Sequence, residues 1–202
     1  MRIGLDFDNT IVCYDEAISL LAEELFNLPE DVARTKLGLR EHLRGAGRES
    51  EWTAFQGQLY GPGMRYARPF EGAVATMQKL GAAGHELTIV SHRSRWPYAG
   101  PRYDLHEAAM LWIEGHLQAC SLFKDDTQKA YFLETKEEKI DMIADLRCEV
   151  FLDDLPEVIN HPRFPRSTMG LLFKPDTVDN ARSGMTAIGS WRSLIDEIDL
   201  LT

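Results

Sequence analysis

The residues best equipped for chemistry in this chain are aspartates that follow short apolar runs. Ile3-Gly4-Leu5 leads into Asp6-Phe7-Asp8, with Asn9 and Thr10 next, and Val150-Phe151-Leu152 leads into Asp153-Asp154. Between them, Leu87-Thr88-Ile89-Val90 leads into Ser91. A carboxylate can serve as nucleophile, as proton carrier or as ligand for a hard cation. Taken alone, either acidic pair is an ordinary turn or helix cap. Together they have another meaning, because open parallel sheets bind ligands at the carboxyl ends of their strands. Four carboxylates and a hydroxyl from three strands would then meet at one edge. Such a cluster repels itself strongly in a low dielectric. A bound cation or protonation makes it tolerable, and an all-oxygen donor set suits Mg²⁺.

A lysine completes the set. Thr135-Lys136-Glu137-Glu138 has the form of a capping box, with Thr135 as N-cap and Glu138 reaching back. Lys136 then lies in the first helical turn, where the macrodipole disfavours a positive charge. That placement makes it a partner for the acidic cluster. Lys139 competes for the role, and the cap geometry points Lys136 more nearly at the strand edge.

These residues need a frame to position them, and apolar strand-like runs alternating with helical periodicity supply one. Strands are expected at 3–5, 87–90, 131–133, 150–152 and 170–173, and helices at 71–83, 104–119, 136–147 and 191–200. The fold class is therefore α/β, a Rossmann-like parallel sheet with helices on both faces. Residues 14–66 break the alternation, with helical pattern, no convincing strand and a Gly61-Pro62-Gly63 stop. They read as a helical cap inserted into a core made of 1–13 and 67–202.

The stretch 31–48 carries Arg34, Lys36, Arg40, Arg44 and Arg48 against Asp31 and Glu41, a local positive surplus in a chain of net charge -10. It is either a solvated helix face or a lid that draws in an anion. Arg93 and Arg95, in His92-Arg93-Ser94-Arg95-Trp96, could contact a second anionic group or stack on a ring, or belong to a plain solvent loop. His92 by itself is most simply a structural residue. Trp52, Phe55 and Tyr60 read as the core of the insertion rather than as substrate stackers.

The 202 residues suffice for one sizeable core, and the 44% apolar and 27% charged composition is that of a globular protein. The net charge argues against a nucleic-acid polymer or an anionic membrane as partner. Cys13, Cys120 and Cys148 are scattered and suggest neither a disulfide framework nor a zinc site. No stretch approaches the roughly 18 apolar residues of a membrane span, and Asp6 and Asp8 interrupt any secretory run. A cytoplasmic setting is expected, and the oligomeric state is not readable.

The order Asp6-Phe7-Asp8-Asn9-Thr10, Ser91, Lys136, Asp153-Asp154 resembles the haloacid dehalogenase (HAD) superfamily, with all four motifs in sequence from residue 3 to about 159. The insertion sits where many members carry a helical C1-type cap, and Asn9 stands where many have glycine. The resemblance implies a phosphatase-type hydrolase with Asp6 as nucleophile and Asp8 as general acid and base. It places Mg²⁺ on Asp6, the main-chain carbonyl of Asp8, and Asp154, with Asp153 orienting the lysine or ligating directly. Ser91, Lys136 and the turn at Asn9 and Thr10, with His92 beside them, would hold the phosphoryl group. The expected substrate is a small phosphorylated metabolite, such as a sugar phosphate or nucleotide. A phosphotransferase or a phosphonate- or halide-cleaving relative could use the same nucleophile. A receiver-like signalling domain is a remoter reading, since its lysine follows the acidic residues, whereas here the lysine precedes the last pair.

Overall fold

The computed structural model describes residues 1–118, 120, 129–175 and 186–201. Its main sheet has six strands: β1 (Arg2–Leu5), β4 (Glu86–His92), β5 (Ala130–Leu133), β6 (Val150–Asp153), β7 (Met169–Phe173) and β8 (Thr186–Ile188). They run in the order β5-β4-β1-β6-β7-β8, with every pairing parallel. The expected α/β class is thus the observed one. A small second sheet pairs β2 (Val12–Cys13) with β3 (Arg68–Pro69).

Parallel strands buried on both faces need helices on both faces, and the strand register shows how this is met. Gly4, Phe151 and Gly170 are register partners and share one face of the sheet. That face is covered by α6 (Lys136–Asp145) and α7 (Pro156–Ile159), where Ile140, Ile143 and Val158 pack with Val90 and Phe151. A Cβ on Gly4 would lie 2.4 Å from the Phe151 ring, and one on Gly170 would lie 2.4 Å from Ile159 Cγ2. Glycine at both positions is what lets the ring and α7 seat. The opposite face carries Phe173, against which Trp191 of α8 (Trp191–Asp199) packs at 6.2 Å between ring centroids. α8 is tied in turn to α4 (Ala73–Ala82) by a hydrogen bond from Thr76 Oγ1 to the Trp191 carbonyl.

The chain forms two compact units. The first is Met1–Val12, Pro69–Arg93 and His116–Thr202, which holds the main sheet. The second is Cys13–Arg68 with Ser94–Gly115. It contains α1 (Asp15–Leu25), α2 (Lys36–Gly45), α3 (Glu49–Tyr60), a 3₁₀ turn at Pro62–Tyr66 and most of α5 (Leu105–Leu117). The helical insertion expected at 14–66 lies inside this unit, which also takes in residues 94–115. Their attachment is specific: Pro97 lies against Gly57, where a Cβ would come within 2.8 Å. Gln58 also donates to the Tyr103 hydroxyl, and the Trp112 indole donates to the Ala67 carbonyl. Trp52 and Phe55 are buried and stacked on one another, as expected for core residues.

Other differences include a short strand and a helix end. β8 has no counterpart in the sequence reading, since Thr186–Ile188 is three residues long with only Ile188 buried. The helix expected to run to about 119 ends at Leu117, and Ala119 lies outside the described residues. Among the described residues, no helix is long and apolar enough to cross a membrane.

Candidate active site

The first unit brings the strand ends together as the sequence implies. Asp6 extends the ladder beyond β1, donating its backbone N–H to the Leu152 carbonyl at 2.9 Å. The chain then folds back, with the Ile11 and Val12 N–H groups both donating to the Phe7 carbonyl. This turn puts Asn9 in the left-handed region, at φ 56°. Asparagine tolerates that conformation better than most residues with a Cβ. Thr10 is buried and its hydroxyl donates to Asp6 Oδ2 at 3.2 Å.

The structure brings Lys139, rather than Lys136, to the acidic cluster. Lys139 Nζ lies 2.6 Å from Asp6 Oδ1 and 2.7 Å from Asp153 Oδ2, with all three side chains within the protein. Lys136 instead lies 3.4 Å from Glu157 at the protein surface. The Thr135–Glu138 capping box is present as read. The difference is one of direction. Helical side chains tilt towards the helix N-terminus, so a residue one turn in covers the end of the helix. Lys139 also shares the buried stripe of α6 with Ile140 and Ile143, and that stripe faces the sheet.

Asp153 is fully held: Oδ1 accepts the Leu155 N–H at 2.9 Å while Oδ2 faces Lys139. Asp154 is half-buried, and Lys174, just past β7, donates to its main-chain carbonyl at 3.0 Å. Lys174 escaped the sequence reading because it touches the backbone, and nothing in its neighbourhood marks a motif. Ser91 is buried near the end of β4, in register with Phe132.

His92 is half-buried. Burial, reinforced by the Lys139 charge, holds its imidazole below the usual pKa, so it is neutral near pH 7.

Arg93 and Arg95 part company. Arg93 is buried and donates to Asp8 Oδ1 at 2.9 Å. Arg95 belongs to the second unit, where it is largely exposed and paired with Asp104. The basic stretch of that unit is mostly committed internally. Arg44 pairs with Glu49, Arg48 pairs with Glu51, Arg34 bonds to carbonyls of 28–32, and Lys36 donates to the Tyr60 hydroxyl.

The electrostatics favour a cation. Asp6, Asp153 and Asp154 each offer a carboxylate oxygen within 4.8 Å of the others. Desolvation pushes the Asp6 carboxyl up to about 6, with Asp153 and Asp8 adding to the rise and Lys139 opposing it. Lys139 is held firmly protonated by its two carboxylates, in spite of burial. An oxygen-only cluster that cannot comfortably carry all its charge fits Mg²⁺ on chemical grounds.

No family model matches the chain, and no curated protein matches it. Solved structures do. A HAD family hydrolase from Deinococcus radiodurans R1 with bound phosphate and sodium is 15% identical, covering 98% of this chain and 95% of that one, with a TM-score of 0.56. The HAD-hydrolase YfnB from Bacillus subtilis bound to magnesium is 13% identical over 98% of both chains, at a TM-score of 0.60. Mycobacterium tuberculosis Protein Tyrosine Kinase A is 15% identical over 98% of this chain and 97% of that one, at 0.63. A dehalogenase is also among the matches. Identities this low speak for the backbone alone, and what they show is that this chain has the fold of the HAD-superfamily hydrolases.

Proposed function

We propose that the protein is a Mg²⁺-dependent phosphomonoester hydrolase that works through an aspartyl-phosphate on Asp6 and acts on a small phosphorylated metabolite, with a sugar phosphate or nucleotide as the expected class. The observation that carries this reading is the Asp6–Lys139–Asp153 bridge beside Asp154, at the carboxyl edge of a parallel sheet. Asp6 attacks phosphorus while the ester oxygen leaves, and Asp8 gives that oxygen its proton. Water then attacks the aspartyl-phosphate, Asp8 takes the water's proton, and inorganic phosphate departs with Asp6 restored. Lys139 keeps the Asp6 carboxylate aimed and offsets its charge as an anionic substrate approaches. Asp6, Asp154 and the main-chain carbonyl of Asp8 would hold Mg²⁺, which when bound supplies positive charge against the phosphoryl oxygens.

A screen for phosphate release over metabolite phosphates, with and without Mg²⁺, tests the reading. Release that requires Mg²⁺ and vanishes in Asp6→Asn is expected; no release from any substrate would overturn it. Transfer of the phosphoryl group to an alcohol is the second reading, favoured by the likeness to the kinase-named structure. Phosphorylated acceptor as the main product would select it. Halide displacement is disfavoured because halide leaves without a proton, which gives Asp8 no task in that step.

A further inference from the structure

Both aspartates of Asp6-Phe7-Asp8 have a cation of their own, and the second pair is not explained by the chemistry above. Arg93 lies two residues past Ser91, and its backbone N–H still donates to the Leu133 carbonyl at 2.7 Å. The β4–β5 ladder therefore fixes its main chain. Strand alternation sends its side chain to the sheet face opposite Lys139. There the guanidinium lies 5.7 Å from the centroid of the Phe7 ring, which is itself edge-on to Phe132 at 5.4 Å. The Arg93 side chain is 3% exposed, whereas that of its partner Asp8 is 20% exposed.

Burying a guanidinium against an apolar wall is unfavourable, and a hydrophobic residue of similar volume would suit that wall as well or better. The contact with the Phe7 face and the bond to Asp8 offset part of that cost, so stability alone is a weak reason for the arginine. Its position relative to Asp8 is a stronger one. A proton carrier must present its carboxylate at a fixed place, and Asp8 is only partly enclosed by the turn that carries it. We propose that Arg93 is a positioning residue for Asp8: its Nη1–H bond to Oδ1 sets the direction of the carboxylate that exchanges protons with the leaving group and the attacking water. The proposal rests on the phosphatase reading. It assigns the two cations separately, Lys139 to the nucleophile and Arg93 to the acid/base.

Kinetics of Arg93→Met, Arg93→Lys, Asp8→Asn and the Arg93→Met/Asp8→Asn double variant test it, with p-nitrophenyl phosphate and Mg²⁺. A misplaced catalytic group costs on the order of 100-fold, so Arg93→Met should lose roughly 30- to 100-fold in kcat with KM within about threefold. Arg93→Lys should recover much of the loss. The double variant should be no slower than Asp8→Asn alone, because a residue acting through Asp8 has nothing left to position. Multiplying losses, or a raised KM with unchanged kcat, would overturn the proposal. If Arg93→Met does not fold, Arg93→Gln takes its place in the same comparison. If the wild-type protein releases no phosphate, the functional reading fails, and crystal structures of wild type and variant decide the positional claim alone. An Asp8 carboxylate turned from its wild-type direction supports it, and an unmoved one refutes it.

Discussion

On the proposed mechanism, Lys139 would carry both stability and chemistry. It neutralises two buried carboxylates, Asp6 and Asp153, that would otherwise face each other across the sheet edge. Removing one partner of a buried ion pair leaves uncompensated charge, at about 3–5 kcal/mol. Lys139→Met should therefore lose stability of that order in urea unfolding without Mg²⁺, together with more than about 100-fold in kcat. Lys136→Met breaks only a contact with Glu157 at the surface and should change stability by less than about 1 kcal/mol while leaving kcat nearly intact. Equal effects of the two substitutions would contradict the assignment.

The raised Asp6 carboxyl gives a second residue-scale prediction. With its pKa at about 6 in the metal-free protein against 3.8 ordinarily, native Asp6 binds a proton between those values where the unfolded chain does not. The metal-free fold therefore loses stability from this group as pH rises from about 4 to 6. At the proposed metal site, Mg²⁺ would have to displace that proton. Its affinity should fall about tenfold between pH 6.5 and 5 by calorimetry, and be nearly flat above 7.

At the level of elements, the strand ends were legible because an apolar run that stops at a polar side chain marks both the strand and the edge where ligands bind. Asp6, Ser91 and Asp153-Asp154 all follow that rule. The choice of lysine was not legible from the capping box, since a cap fixes where a helix starts but not where its side chains lean. The buried stripe of Lys139, Ile140 and Ile143 was the better signal, because burial faces the sheet. β8 was hidden for another reason: three residues with one buried side chain carry almost no periodicity. Glycines in strands were a further signal, normally read as weakness. Here Gly4 makes room for Phe151, whose ring a Cβ would meet at 2.4 Å. Gly4→Ala should destabilise by about 1–3 kcal/mol through overpacking, read as a lower urea midpoint. An unchanged midpoint would show that Phe151 has somewhere to go.

For the whole molecule, the decisive fact is that the unit holding the site is assembled from three separate stretches of chain. Local pattern identifies such stretches but does not say which joins which, and this is why residues 94–115 were read with the core 67–202 rather than with the unit that takes them in. It is also why Arg93, the last residue before the chain crosses into the other unit, was left between a substrate contact and a solvent loop. The closing helix is the clearest case of long-range assembly. Trp191 of α8 is fully buried, and its indole N–H donates at 3.0 Å to the carbonyl of Thr10, 181 positions earlier, in the turn that carries Asp6 and Asp8. Its own carbonyl accepts from Thr76 in α4. One residue thus fastens the last helix to both the Asp6–Thr10 turn and its neighbouring helix. Trp191→Phe keeps most of the apolar volume but leaves the buried Thr10 carbonyl without this donor. A loss of about 1–3 kcal/mol is expected from that vacancy, visible as a lowered thermal midpoint. Because Thr10 also donates to Asp6, the same variant should lower kcat more than it changes KM. A stability loss with unaltered kinetics would mean that the turn holds its shape without the closing helix.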